Sequence, residues 1–174
     1  QVVLDMNTRN RLPESIQNML ATTAGAEHFT AANGQVLNLI DAERFTQFII
    51  IGTGKKSEKT AKIAAQAMIH YCQQYEISKA ALLVDEQMTD ELAINQFILT
   101  AADLAYTFEA PNGMHTGEHA QKNAKKAEQS AKRTITLMTH KAPTSAQKQQ
   151  FSNAVAIAQG CALSKQLGNL PGNY

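Results

Sequence analysis

The stretch Phe45 to Gly54 (FTQFIIIGTG) constrains the fold more than any other part of the chain. Phe48, Ile49, Ile50 and Ile51 are consecutive, three of them β-branched, and Gly52 closes the run before a helix could form. Side chains alternate across a strand, so four apolar residues in a row demand cover on both faces. The expected architecture is therefore helices above and below a sheet. Gly52 and Gly54 allow a sharp turn, and Ser57 stands where it could cap a following helix. Strand, turn and helix together read as the start of a βαβ unit.

The other segments fall around that unit. Val2 to Met6 reads as a first strand, and Pro13 suits the first position of a helix whose inner face is Ile16, Met19 and Leu20, closed by Gly25. Ala26 to Asn33 reads as a loop. Gln35 to Ile40 should pair antiparallel with the central strand through Asp41 to Arg44. Ala61, Ala64, Ala65, Met68, Cys72 and Tyr75 recur with helical spacing and predict a small-residue face lying close on a sheet. Ala80 to Val84 is the next strand, expected parallel to the central one across that helix. A helix starting at Thr89 or Asp90 should bury Ile94, Phe97, Ile98, Ala101, Ala105 and Phe108. Glu109 to Lys132 then breaks the pattern and reads as an exposed excursion. Thr134 to Met138 returns to strand, and Thr144 with Gln147 makes a capping-box start after Pro143. The fold class is thus α/β, a mixed, mostly parallel sheet flanked by helices on both faces.

The last helix differs from the others. Phe151, Ala154, Val155, Ala158 and Ala162 form one stripe, while Ile157, Cys161, Leu163 and Leu167 cover much of the remaining circumference. A helix apolar nearly all round is expected to be buried on several sides. Gly160 inside it costs about 1 kcal/mol relative to Ala, which suggests another element passing close by. Its position beside Leu170 to Tyr174 predicts a second partner in sequence beyond this chain.

At 174 residues the chain can bury roughly 70% of its unfolded surface, enough for a full core. The net charge of +1 gives no global pull toward nucleic acid or membrane, but it is unevenly spread. Between His119 and Lys141 lie Lys122, Lys125, Lys126, Lys132, Arg133 and Lys141 against the single acid Glu128. Such a tract can follow a phosphate backbone, although without aromatic residues it cannot stack single-stranded bases. Its simplest alternative is a solvated loop. Cys72 and Cys161 both fall in helical patterns and are expected to be small buried thiols in a reducing compartment. Nothing approaches the ~20 apolar residues of a membrane span, and no leader is visible, so the expected location is cytoplasmic.

Two strings resemble catalytic motifs, and each fails on its own terms. Gly52-Thr53-Gly54-Lys55-Lys56-Ser57 lacks the glycine five before Gly54 that a phosphate loop needs, and Lys56 occupies its hydroxyl position. Ser57 also stands where a dinucleotide fingerprint has its third glycine. His115-Thr116-Gly117-Glu118-His119 matches the H-x-x-E-H zinc string, but Gly117 lies inside it and Pro111 and Gly113 lie just ahead. A firm helix with a second shell is required there, and a loop is the better reading. Asp85-Glu86 and Asp90-Glu91 read as a strand end and a helix start. No catalytic, cofactor-binding or metal-binding residue is assigned. Lys122, Lys125, Lys126, Lys132 and Arg133 are the candidate nucleic-acid contacts.

Three groups of residues, in order along the chain, carry a resemblance. Gly34-Gln35-Val36-Leu37 is followed by Glu43-Arg44-Phe45 and Ile49-Ile50-Ile51-Gly52-Thr53-Gly54-Lys55, then Tyr106-Thr107-Phe108, then Ala156 to Asn173. The set resembles the N-terminal part of the leucyl (cytosol) aminopeptidase family, bacterial type. Gly172 stands where a second proline is usual at the family's domain junction. The resemblance implies a macro-domain-like unit over 1–143 and an interdomain helix over 144–174 leading to a catalytic domain. It also implies that the parent enzyme is a homo-hexamer using two divalent metals (manganese, zinc or magnesium) to remove N-terminal residues from peptides. All metal ligands and catalytic residues would lie downstream, leaving this portion inactive alone, without cofactor, and suited to supporting assembly and active-site access. Some bacterial members also bind duplex DNA, which makes the basic tract an alternative function.

Overall fold

A computed structural model describes residues 10–26, 28–42, 46–54, 57, 59–83, 91–108, 133–139 and 141–170. The first helix, α1, spans Glu14–Ala26, and the hairpin strands are β1 (Val36–Asp41) and β2 (Thr46–Ile51). Then come α2 (Thr60–Gln74), β3 (Lys79–Leu83), α3 (Glu91–Ala105), β4 (Thr134–Met138) and α4 (Ser145–Gly168). The class is α/β. The expected strand at Val2–Met6, the helix start at Thr89–Asp90 and the excursion up to Lys132 lie outside the described residues.

β1 and β2 pair antiparallel from Val36↔Ile51 to Asp41↔Thr46, as the short connection between them requires. This register places Leu37 opposite Ile50 and Leu39 opposite Phe48 on one face. All four pack with Ile16 and Leu20 of α1 and with Phe29, giving the first core. Buried Asp41 continues that face and accepts a hydrogen bond from the Ser15 hydroxyl of α1 at 3.2 Å. Val36, Asn38, Ile49 and Ile51 point the other way, and Ile51 joins a second core. The isoleucine run is thus divided by strand parity between two helices. Its residues are half-buried rather than fully enclosed: Ile50 sits at the margin of the first core and Ile51 at the margin of the second.

The second core lies between α2, α3 and a parallel pair of strands. β3 runs beside β4 in register from Lys79↔Thr134 to Leu83↔Met138. Ala61, Ala64, Ala65, Met68 and Cys72 of α2 and Phe97 of α3 are buried there, with Ala80, Leu82, Ile135 and Leu137 below them. Among the described residues β3 therefore pairs with β4 rather than directly with β2, and the strands form two two-stranded sheets, one antiparallel and one parallel. The alanines matter for distance: short side chains let α2 lie close on the strands. α3 packs on α2, and α4 packs on α3.

Several local expectations need correction. Tyr75 is exposed, because it is the C-cap of α2 rather than a residue on its inner face. Ser57 does not cap α2. The helix begins at Thr60 behind Lys59, which makes no side-chain cap, and the Ser57 amide instead donates to the Thr60 hydroxyl. Gly25 belongs to the last turn of α1 rather than lying beyond it. The capping box of α4 forms as read: the Thr144 hydroxyl accepts from the Gln147 amide, and the Gln147 side chain accepts from the Thr144 amide.

Gly52 and Gly54 are needed for close approach. The Gly34 amide donates to the Gly52 carbonyl at 2.8 Å, the Gly52 amide to the Gln35 carbonyl at 2.7 Å and the Gly54 amide to the Ala31 carbonyl at 2.9 Å. A Cβ on Gly52 would run into the Ala31–Ala32 backbone, and Gly54 holds φ at +64°. The facing loop is stiffened by Gln35, whose side-chain carbonyl accepts from the Thr30 amide at 2.9 Å and the Ala32 amide at 3.3 Å. Gly52→Ala forces backbone apart in a buried position and should lower stability by about 1–3 kcal/mol. A urea midpoint shifted down at constant m checks this.

Candidate interaction surfaces

The two glycines of the turn have no free amide for a phosphate: both N–H groups are already committed to the 31–35 loop. The His115–His119 string and Asp85-Glu86 lie outside the described residues. Among the described residues no three His, Cys, Asp or Glu side chains come together as a metal-binding set. No helix there is long and apolar enough to cross a membrane.

Of the basic-tract candidates, Lys122, Lys125, Lys126 and Lys132 lie outside the described residues, while Arg133 is placed. It is half-buried at the start of β4, and its Nε donates to the Ile77 carbonyl at 3.2 Å. Its Nη1 is buried without a hydrogen-bond partner. Arg133 thus ties β4 to the end of α2, turned inward rather than offered as a surface cation. The guanidinium is close enough to Cys72 to favour its thiolate, but burial dominates and pushes that thiol up from its ordinary range.

The helix expected to be covered on several sides, α4, is covered on one within the described residues. Only Ala154 and Ala158 are buried, both against the rest of the fold. Ile157, Leu163 and Leu167 are 54%, 60% and 59% exposed, and Cys161 is exposed as well. Gly160 has nothing within 4 Å of its Cβ position, so among the described residues no element crosses there. At 100° per residue, Ala156, Gly160, Leu163 and Leu167 share the side opposite Ala154 and Ala158. The inner side is clasped to α3: Lys165 pairs with Asp103 and lies 5.3 Å from the Tyr106 ring centroid, and Asn169 donates to the Tyr106 hydroxyl. With both partners solvent-exposed, that ion pair adds little energy; it orients the helix.

A second surface lies between β1 and the end of α2. There a cleft of about 520 Å³ is lined by Val36, Asn38, His70, Tyr71, Gln74 and Tyr75 among others. The Tyr71 and Tyr75 rings are 4.5 Å apart and tilted by 40°. The Gln47 amide nitrogen donates to both Asn38 Oδ1 at 3.0 Å and the Tyr71 hydroxyl at 2.9 Å. Burial raises the Tyr71 pKa, with Tyr75 adding to the effect, so the phenol keeps its proton at neutral pH. Nothing in the sequence pointed to this cleft: Tyr71 lies off the stripe that reads as the inner face of α2, and Gln47 is simply a polar residue at the start of a strand.

Comparison with known families settles the lineage. The description "Cytosol aminopeptidase family, N-terminal domain" matches residues 4–111, more than half of the chain. The chain belongs to the cytosol aminopeptidase family. The match takes in α1, the hairpin, the glycine turn, α2, β3 and α3, and ends ahead of β4 and α4. The matched part is the N-terminal domain of a family of peptidases, which are hydrolases. No curated protein and no solved structure matches the chain significantly.

The two thiols should behave differently. Cys161 reacts at once with a disulfide reagent, whereas Cys72, 1% exposed, reacts only as fast as the fold opens. A folded-state pKa raised above the unfolded value means stability is whole below the ordinary thiol pKa of 9.0 and is lost as pH rises through the folded value. Stability should therefore fall above pH 9.0, and Cys72→Ala should flatten that fall; urea titrations across the alkaline range measure both.

Proposed function

We propose that the chain serves as the non-catalytic N-terminal domain of a two-metal leucyl aminopeptidase, supporting homo-hexamer assembly and shaping peptide access to the active sites. The observation that carries this reading is the apolar surface α4 leaves in water, with Leu163 and Leu167 on its outer side and Ile157 on its flank all more than half exposed. Fully burying a leucine is worth about 1.5–3 kcal/mol, so two leucines and an isoleucine on one helix favour a covering surface. On this reading 1–143 is a macro-domain-like unit, 144–174 is the interdomain helix with its junction, and the covering surface is the enzyme's own catalytic domain. The described residues provide no ligand set for the two divalent metals (manganese, zinc or magnesium). Following the family resemblance, metal-assisted attack on the peptide is assigned to the catalytic domain, in the cytoplasm.

The 174-residue chain should show no hydrolysis of a leucine arylamide with added manganese, and turnover would refute the reading. Replacing Leu163 and Leu167 together by Glu tests the docking helix. It should leave the thermal midpoint of the 174-residue chain nearly unchanged, because both side chains already face water. In the full-length enzyme the same pair should disrupt assembly and reduce kcat, read by sedimentation and by leucine-arylamide turnover. Unaltered assembly and turnover would remove the docking role.

Duplex DNA binding through 119–141 is the second reading, supported by the five lysines of that tract against one acid, Arg133 being turned inward. A gel-shift assay at two salt concentrations should show binding that weakens steeply with salt; salt-insensitive or absent binding excludes it.

A further inference from the structure

The cleft between β1 and the end of α2 is not used by the reading above, and its chemistry is specific enough to name a ligand class. We infer that this cleft is a binding site for a neutral, planar heteroaromatic ring with hydrogen-bonding edges, of the nucleobase type. Three observations lead there. The first is Tyr71, a residue 8% exposed that lines the cleft. Gln47 spends one amide hydrogen on Asn38 and the other on the Tyr71 oxygen, so Tyr71 is the acceptor in that bond. Its own proton finds no acceptor among the described residues. A largely buried phenol with an unspent donor, held in place by an amide, is positioned to donate to an entering ring nitrogen or carbonyl.

The second observation is the platform. Tyr75 is 56% exposed at the cleft mouth, tilted against Tyr71. An exposed tyrosine braced by a buried one presents a ring face on which a flat ligand can stack. The third is the charge of the lining: among the described residues no Lys, Arg, Asp or Glu borders the cleft, and the carboxamides of Asn38 and Gln74 with the His70 imidazole supply the polar edge. That set matches a neutral ring carrying both donors and acceptors, and provides nothing for a phosphate. A volume of about 520 Å³ accommodates a nucleoside.

The test is titration of the 174-residue chain with adenosine. Binding is followed by NMR chemical shifts of the protein's tyrosine ring protons, because millimolar adenosine absorbs at the wavelength that excites tyrosine. Binding should saturate with a Kd below about 1 mM. Tyr75→Ala should weaken it at least about ten-fold by removing the stacking face. Tyr71→Phe should weaken it about five-fold by removing one donor while leaving the ring. AMP should bind no more tightly than adenosine. The inference is overturned by any of four outcomes: no saturation by about 10 mM adenosine, full affinity in Tyr75→Ala, AMP binding far tighter than adenosine, or N-acetyl-tyrosinamide binding as well as adenosine. Should Tyr75→Ala fail to fold, nuclear Overhauser contacts between the adenine ring protons and Tyr75 in the unsubstituted chain decide. Their absence also overturns it.

Discussion

The structure depends on one backbone contact, the hydrogen-bonded seam between Gly52–Gly54 and residues 31–35. Three short amide-to-carbonyl bonds close the open end of the hairpin and set the direction in which the chain leaves β2. A side chain at Gly52 would hold the two segments apart, so this approach admits only hydrogen at that position. At that exit, Ile51 packs into the core beneath α2.

From the seam outward, strand parity allocates the apolar side chains. Phe48 and Ile50 go to α1, and Ile51 goes to the core under α2 and α3. One strand thereby joins two cores, and neither could be removed without exposing half of the isoleucine run. The helices then build outward from the second core in steps, α2 on the strands, α3 on α2 and α4 on α3. Burial is concentrated in α2, whereas among the described residues α3 buries Phe97 and α4 only two alanines. A helix so lightly buried, yet carrying four exposed large apolar side chains, has surface to offer a partner.

Much of this was legible in the residues. The hairpin and its pairing sense followed from alternation around a short connection, β4 from TITLM, and the start of α4 from Thr144 and Gln147. The small-residue face of α2 was readable as far as Cys72 because its spacing is helical. Tyr75 broke the pattern for a reason periodicity does not report, namely that the helix ended one residue earlier. Cys161 and Gly160 misled in the same way. Composition marked α4 as apolar all round, but whether a neighbour stands there is a question of distance between elements remote in the chain.

What the sequence determined by itself is therefore local. The order of strands and helices, the glycines at the turn and the cap of α4 each depend on residues a few positions apart, where backbone sterics and short-range hydrogen bonds decide. Lineage belongs on that side too, since the run of motifs and the matched span 4–111 are properties of order along the chain. The tertiary structure decided which faces meet. It turned Arg133 inward, left Leu163 and Leu167 in water, committed the glycine amides to a loop, and brought Gln47 and Tyr71, 24 residues apart, to a single hydrogen bond. Such pairings depend on how rigid elements dock, and docking is set by the sum of many small contacts that no local spacing encodes.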